Sequence, residues 1–259
     1  MWVRKELKAK GKAAFKANYW RCVLVALILT AIVAGGAGVS GANGVNNAID
    51  QNNPGQAVES AVGIESEELA SQLSDLQAEA EDAGISGIVV AVVAGVLGLA
   101  LIVGLLIDFL LLNPLSAGCH YFFARNSHEK AGLGHIAAGF ESGYGRVVKI
   151  MLLTDVFLIL WYCLFIIPGI IKTYSYRMVP YIVADQPELE GREAINRSRE
   201  MMNGNKWRAF VLDLSFILWG LLSLITLGIV GVFYVNPYYQ ATNAELYHAL
   251  KAENPAPTF

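Results

Sequence analysis

Six polar or charged side chains lie inside stretches of this sequence that are otherwise apolar. They are Asp108, Asn113, Asp155, Arg177, Asp213 and Asn236. A charged group in hydrocarbon costs about 3 kcal/mol or more unless it is paired, so these residues are the first candidates for a site. They could form a buried ion pair, with Asp155 or Asp213 as the partner of Arg177. They could also bind a transported substrate or proton.

Motifs for catalysis and for cofactor binding are missing from the sequence. It contains no Gly-x-x-x-x-Gly-Lys loop, no Gly-x-Ser-x-Gly elbow, no His-Glu-x-x-His and no Cys-x-x-Cys. His128 and His135 could share a helix face, but no third metal ligand is spaced with them. The cysteines Cys22, Cys119 and Cys163 are too few and too scattered for a disulfide framework. We therefore expect no enzymatic activity, no cofactor and no metal.

The elements that position the six polar residues are predicted to be membrane helices. The chain is 55% hydrophobic and only 16% charged, with a mean hydropathy of +0.46, whereas soluble domains carry about a quarter charged residues. A helix needs about 20 apolar residues to cross a bilayer. Six segments reach or approach this length: Cys22–Ser40, Ile85–Leu112, Val147–Ile167, Ile170–Ala184, Ala209–Leu227 and Gly228–Leu246. The sequence predicts one all-α domain over 1–259, a polytopic membrane bundle of six transmembrane helices in three hairpins.

Basic residues are distributed unevenly along the chain. Seven of the 19 lie in the first 21 residues, and none lies between Arg21 and Arg125, while the loop 41–84 carries nine carboxylates. Loops rich in lysine and arginine stay in the cytoplasm. Both termini and the segments 124–149 and 186–208 are therefore predicted to be cytoplasmic, and the acidic loop to be extracytoplasmic. This pattern is typical of a multi-pass protein of a bacterial plasma membrane.

The first 21 residues predict a basic amphipathic helix rather than a cleaved signal peptide. Trp2, Leu7 and Phe15 fall near one helical face, and the basic residues lie largely off that face. Such a helix lies on the anionic inner leaflet of the membrane. The lipid bilayer is therefore an expected partner, and nucleic acid is not.

The fourth apolar segment, Ile170–Ala184, is the weakest of the six because it is short and contains Lys172 and Arg177. Basic residues on both sides of Val147–Ala184 require the chain to return to the cytoplasm between them. Ile170–Ala184 is then a true returning helix, or Val147–Ala184 is a re-entrant hairpin.

Three similar units follow one another along the chain. Each outgoing segment begins with arginine and aromatic residues that anchor a helix at the lipid headgroups. These anchors are Trp20, Arg21, Arg146, Trp207 and Arg208. Each returning segment contains a proline, which removes a backbone donor and should bend the helix. The prolines are Pro114, Pro180 and Pro237. Each unit begins with a polar or amphipathic interfacial segment, so we predict a threefold repeat.

Five stretches of the sequence resemble a known family, above all the run Ile-Pro-Gly-Ile-Ile-Lys that ends at Lys172. The stretches are 113–118, 166–185, 193–205, 207–213 and 226–229. The family is a bacterial membrane family called domain of unknown function 975, found mostly in Firmicutes. The chain is also distantly similar to the membrane domain that accompanies some glycerophosphodiester phosphodiesterases. The resemblance implies a membrane fold but supplies no site, because no activity or catalytic residue is established for the family.

Two classes of function fit these features. The first is a non-enzymatic membrane protein that organises the envelope or binds a lipid or a protein partner. The second is a small transporter or channel, which internal repeats, interrupted helices and intramembrane charge favour. A dry bundle with mutually bonded charges would favour the first class, and a water-filled path to Asp155, Arg177 and Asp213 the second. The sequence gives less support to a third class, an enzyme that acts on lipids.

Overall fold

A computed structural model of the chain describes residues 1–39, 86–141 and 143–255. These residues are helical and contain no strand, which confirms the all-α prediction. The acidic loop 41–84 lies outside the described residues. The chain divides into two compact units, a larger one of 1–31 and 109–259 and a smaller one of 32–108.

The first group of elements contains two long apolar helices. Helix α1 spans Arg4–Ala17, and helix α2 spans Tyr19–Val39. Helix α3 spans Ser86–Ile107, and the π-helical turn Asp108–Leu112 connects it to helix α4, Asn113–Asn126. Helices α2 and α3 are apolar on all sides, as expected of helices in hydrocarbon, whereas α1 is amphipathic.

The second group begins with a 3-10 helix, Leu133–Ala137, and the short helix α5, Ala138–Glu141. Helix α6 spans Tyr144–Leu164. The predicted fourth segment is broken into helix α7, Ile166–Tyr176, and helix α8, Val179–Asp185. At 1.5 Å per residue these two helices are about 16 and 10 Å long, so neither crosses a bilayer alone.

The third group repeats this order of elements. Helix α9, Arg192–Met201, is amphipathic. The outgoing segment consists of helix α10, Lys206–Leu214, and helix α11, Ile217–Ile225. The returning segment consists of the π-helical turn Gly231–Val235 and helix α12, Asn236–Glu253.

Among the described residues, three helices could cross a membrane by length and composition: Ala91–Asn126, Tyr144–Leu164 and Lys206–Ile225. Arg4–Ala17 and Tyr19–Val33 pass the same test together, but the chain bends by 107° between them. The described chain therefore has three candidate spans, or four if the bent pair is one span.

The core of the larger compact unit lies around α4, α8 and α12, the three helices that contain the prolines of the predicted repeat. Helix α4 packs against both α8 and α12. The interfacial segments cover the outside of these three helices, with α1 on α12, the 3-10 helix and α5 on α4, and α9 on α8. The largest fully buried side chains here include Phe122, Phe123, Tyr181, Ile182, Leu246 and Tyr247.

Exposed apolar side chains cover helix α3 and also reach the far ends of the second and third hairpins. Between α6 and α7, Leu164–Ile167 are each at least 60% exposed, and at the tip of the third hairpin Leu227 is 93% exposed. This second tip is a tight turn in which Leu227 and Gly228 both have positive φ angles, 51° and 85°. The first parts of the same hairpins carry fully buried residues such as Ile150 and Leu212. Both hairpins thus place some residues of their first parts in the protein core and carry exposed apolar surface out to their tips.

Candidate functional site

Arg177 and Asp213 form a bidentate ion pair. Arg177 follows the last residue of α7, and Asp213 lies near the end of α10. The Nη1 and Nη2 atoms of Arg177 donate to Oδ2 and Oδ1 of Asp213 at 2.8 and 2.7 Å. The two side chains are only 14% and 25% exposed. Two parallel hydrogen bonds fix the orientation of both groups as well as their distance.

Three neutral side chains complete the network around this ion pair. Nη2 of Arg177 also lies 2.8 Å from the hydroxyl oxygen of Tyr239 and 2.6 Å from Oδ1 of Asn243, so its two N–H groups are shared among three oxygens. The hydroxyls of Tyr174 and Tyr239 donate to Asp213 at 2.8 and 3.0 Å. A buried ion pair is tolerated only when such additional hydrogen bonds offset the loss of water. The network therefore compensates both charges within the protein.

Tyr174, Tyr239 and Asn243 are not predicted from the sequence, because they are uncharged and do not lie beside a proline. A signal for them existed. Tyr174 precedes Arg177 by three residues and Asn243 follows Tyr239 by four, so each pair lies on one face of its helix.

The two amides beside prolines each connect two helices. Nδ2 of Asn113 donates to Oδ2 of Asp155 at 2.7 Å, which links α4 to α6. Nδ2 of Asn236 donates to the hydroxyl of Thr30 at 3.0 Å, which links α12 to α2. Asp155 thus lies beside Asn113, while Arg177 is bonded to Asp213. Asp108 is the first residue of its π-helical turn and is half-buried.

Each of the three anchor arginines donates to a backbone carbonyl just before the interfacial segment of another unit. The pairs are Arg21 with Ala131, Arg146 with Leu189 and Arg208 with Trp2. The first repeat unit is thus bonded to the second, the second to the third and the third to the first. Trp20 and Trp207 are 73% and 71% exposed, as expected of side chains that contact lipid headgroups.

Each proline is the second residue of a helix, Pro114 in α4, Pro180 in α8 and Pro237 in α12. A π-helical turn precedes Pro114 and Pro237, and a break at residues 177–178 precedes Pro180. Proline has no N–H, and its ring clashes with the carbonyl four residues earlier. A widened or broken turn removes that clash. The predicted bends therefore take the form of local departures from α-helical geometry.

A polar cavity of about 410 Å³ lies between α7, α9 and α10. Its lining includes three basic side chains, Lys172, Arg199 and Lys206, and one acidic side chain, Glu200. Glu200 also lies 3.6 Å from Arg197. The cavity therefore has an excess of positive charge, which suits an anionic group.

An apolar cleft of about 340 Å³ adjoins the polar cavity at Lys206, which lines both. The cleft is formed by Ile170, Trp207 and Phe210 among others, and the ring centroids of Trp207 and Phe210 are 5.2 Å apart. Cavity and cleft together offer positive charge beside an apolar groove. This combination fits a ligand with an anionic head and an apolar chain.

A second polar network connects the ends of α8 and α12. Oδ2 of Asp185 accepts hydrogen bonds from the Tyr247 hydroxyl at 2.5 Å and from Nζ of Lys251 at 2.6 Å. Burial and the adjacent Asp185 raise the pKa of Tyr247, and burial lowers the pKa of His248. Within the described ranges, no three His, Cys, Asp or Glu side chains are grouped so that they could hold a metal ion. The network joins two core helices.

Comparison with known families gives a match over most of the described chain. Residues 89–254 match the model of a family described as "Protein of unknown function (DUF975)". Neither the curated proteins nor the solved structures yielded a match. The further similarity to a membrane domain of glycerophosphodiester phosphodiesterases stays a prediction.

Proposed function

The chain belongs to the DUF975 family of proteins of unknown function, and we propose that it is a non-enzymatic membrane protein that organises the bacterial plasma membrane by binding lipids of the inner leaflet. The single observation that carries this proposal is the bonded network around Arg177 and Asp213. If Arg177 and Asp213 serve to hold helices together, the function falls to the surface of the protein that contacts lipid.

The state of the ion pair favours a structural role over transport. A site that binds and releases an ion needs a charged group that can exchange its partners. Arg177 instead divides its donors among Asp213, Tyr239 and Asn243. Among the described residues, three cavities of about 520, 400 and 410 Å³ are lined by residues other than Asp155, Arg177 and Asp213.

The six apolar segments form a threefold repeat in this proposal, with each unit made of an interfacial segment and a hairpin. The equivalent positions of the three prolines support the repeat. The arginine bonds from each unit to the next support it independently, because a chance likeness in sequence would not produce a cyclic set of contacts. Both termini and the segments 124–149 and 186–208 face the cytoplasm, and loop 41–84 lies outside.

The three hairpins do not reach equally far into the bilayer. Helices α2 and α3 have 21 and 22 residues, which is enough to cross. In the third hairpin, exposed apolar residues continue from Trp207 through Phe210 and Leu214 to Ile225, a rise of about 27 Å that nearly crosses a hydrocarbon core about 30 Å thick. In the second hairpin, the exposed apolar part of α6 runs only from Val156 to Leu164 and rises about 12 Å. We therefore favour a re-entrant second hairpin between two crossing hairpins over six full spans.

Flux measurements in proteoliposomes test the proposal against transport. The purified full chain is placed in vesicles with a proton or potassium gradient, and spin-labelled lipids report on lipids held at the protein. We expect the gradients to decay no faster than in protein-free vesicles, and we expect a population of immobilised lipids. A flux that Arg177→Met abolishes would assign the ion pair to a transport path and overturn the proposal.

A further inference from the structure

We propose that the polar cavity at Lys172, Arg199 and Lys206, together with the apolar cleft beside it, binds one anionic phospholipid. The cavity takes the headgroup and the cleft takes the first part of an acyl chain. This inference rests on the proposed function and names the lipid class and the site.

Three elements hold the basic side chains at the cavity. Lys172 comes from α7, and its Nζ lies 4.3 Å from the centre of the Trp161 ring. Arg199 comes from α9, where its Nη1 donates to Oδ1 of Asn196 at 3.1 Å. Lys206 is the first residue of α10. Each has hydrogens that remain available to an oxygen ligand, because an ammonium group has three donors and a guanidinium five.

Charge balance predicts that the occupant is an anion. The lining of the cavity has three basic side chains against Glu200 alone, and Glu200 also faces Arg197. Like charges that share one cavity repel each other, and a phosphate group placed among them reverses the sign of that interaction. The phosphodiester and hydroxyl groups of an anionic lipid supply acceptors for all three side chains.

The apolar cleft distinguishes a lipid from a free phosphate. Ile170, Ile171 and Trp207 are 45%, 47% and 71% exposed, although each is strongly apolar. They line the cleft next to Lys206, and α7 leads directly from them to the exposed apolar tip at 164–167. A soluble anion makes no use of such a surface, whereas an acyl chain gains binding free energy with each CH₂ group that it buries there.

Trp207 offers a direct reporter of the occupant, because it lines the cleft and is exposed. The full chain is placed in phosphatidylcholine vesicles that contain a small fraction of brominated phosphatidylglycerol or, separately, of brominated phosphatidylcholine. Bromine quenches tryptophan fluorescence at short range, and the quenching that disappears in Trp207→Phe is the part due to this residue. We expect the anionic lipid to quench Trp207 with an apparent affinity at least about fivefold higher, the factor that corresponds to one basic residue at an anionic surface.

Two double variants separate this cavity from the general charge of the protein. Arg199→Gln with Lys206→Gln should reduce the preference for phosphatidylglycerol to about one. Lys12→Gln with Lys16→Gln removes the same charge from exposed positions on α1 and should leave the preference at Trp207 unchanged. Thermal unfolding checks that each variant is folded. If the first variant is not, Arg199→Gln alone replaces it, because this side chain is exposed, and a preference lowered about fivefold is then expected.

Three results would overturn the inference. They are equal quenching by the two lipids, an equal loss of preference in the α1 variant, and displacement of the brominated lipid by inorganic phosphate, which would identify a site for free anions. None of these results requires ion flux, so failure of the lipid site is distinguishable from failure of the proposed function. Immobilised lipid without a preference for charge would leave the proposed function intact and remove only this site.

Discussion

At the residue scale, the ion pair between Arg177 and Asp213 shows what spacing along a chain can and cannot predict. The apolar context of Arg177, Asp155 and Asp213 predicts that these charges need partners. Spacing within one helix gives the face on which a residue lies, but not which other helix packs against that face. Asp155 and Asp213 were therefore equivalent choices in sequence, and only the packing of α7 on α10 selects Asp213.

Breaking this pair should destabilise the protein more than removing it. Arg177→Met leaves Asp213 without its cation, and we expect a loss of about 3 kcal/mol in unfolding free energy. Adding Asp213→Asn should recover part of that loss, because no uncompensated carboxylate then remains. Denaturant unfolding in mild detergent measures both variants.

The control for this prediction is the exposed pair of Arg125 and Glu129, whose side chains are 48% and 51% exposed. Arg125→Met should change the unfolding free energy by about 0.5 kcal/mol or less. A double variant at Arg177 and Asp213 that is no more stable than Arg177→Met would show that the ion pair is not the interaction being lost.

At the element scale, glycines set how closely the interfacial segments approach the returning helices. A Cβ on Gly11 of α1 would lie 2.8 Å from the backbone of Thr242 in α12. A Cβ on Gly139 of α5 would overlap the carbonyl oxygen of Pro114 in α4. In two of the repeat units, the contact between the interfacial segment and the returning helix therefore requires a glycine, which has no side chain. The hydrophobic pattern does not predict them, since it gives the buried face of a helix but not the distance to its neighbour.

Gly139→Ala should separate α5 from α4, because the obstacle is backbone and cannot rotate away. We expect a loss of about 2 kcal/mol in unfolding free energy. Gly134→Ala is the matched control, because Gly134 lies in the adjacent 3-10 helix with no atom within 4 Å of the added Cβ. Equal stability of the two variants, measured by denaturant unfolding, would rule out the close approach.

At the scale of the whole molecule, the apolar segments were predicted well in position and less well in role. The segments Val147–Ile167 and Ala209–Leu227 are apolar along their length, so both meet the length rule for a span. In the structure Ile150 and Leu212 in their first parts are buried in the protein core, whereas Phe210 and Leu214 are 37% and 51% exposed and the later parts of both segments carry further exposed apolar residues. An apolar run does not reveal whether protein or lipid covers it, because both are equally dry. The number of crossings therefore depends on which side chains the protein buries, and the sequence alone does not give this.

Cysteine labelling in intact cells tests whether the second hairpin crosses the bilayer or returns within it. In a background without other cysteines, Ser66→Cys in loop 41–84 should react with a membrane-impermeant maleimide from outside, because that loop is acidic and lacks basic residues. Lys130→Cys should react only after the cells are opened. Thr226→Cys lies at the tip of the third hairpin and should also react from outside, because the exposed apolar residues from Trp207 to Ile225 are long enough to reach across the bilayer. The exposed native Cys163 lies at the tip of the second hairpin and should stay unlabelled from outside, because a part that rises about 12 Å ends inside the bilayer. Labelling of Cys163 as complete as that of Ser66→Cys would restore a full span for the second hairpin, and labelling of Ser66→Cys only in opened cells would reverse the orientation of the whole chain.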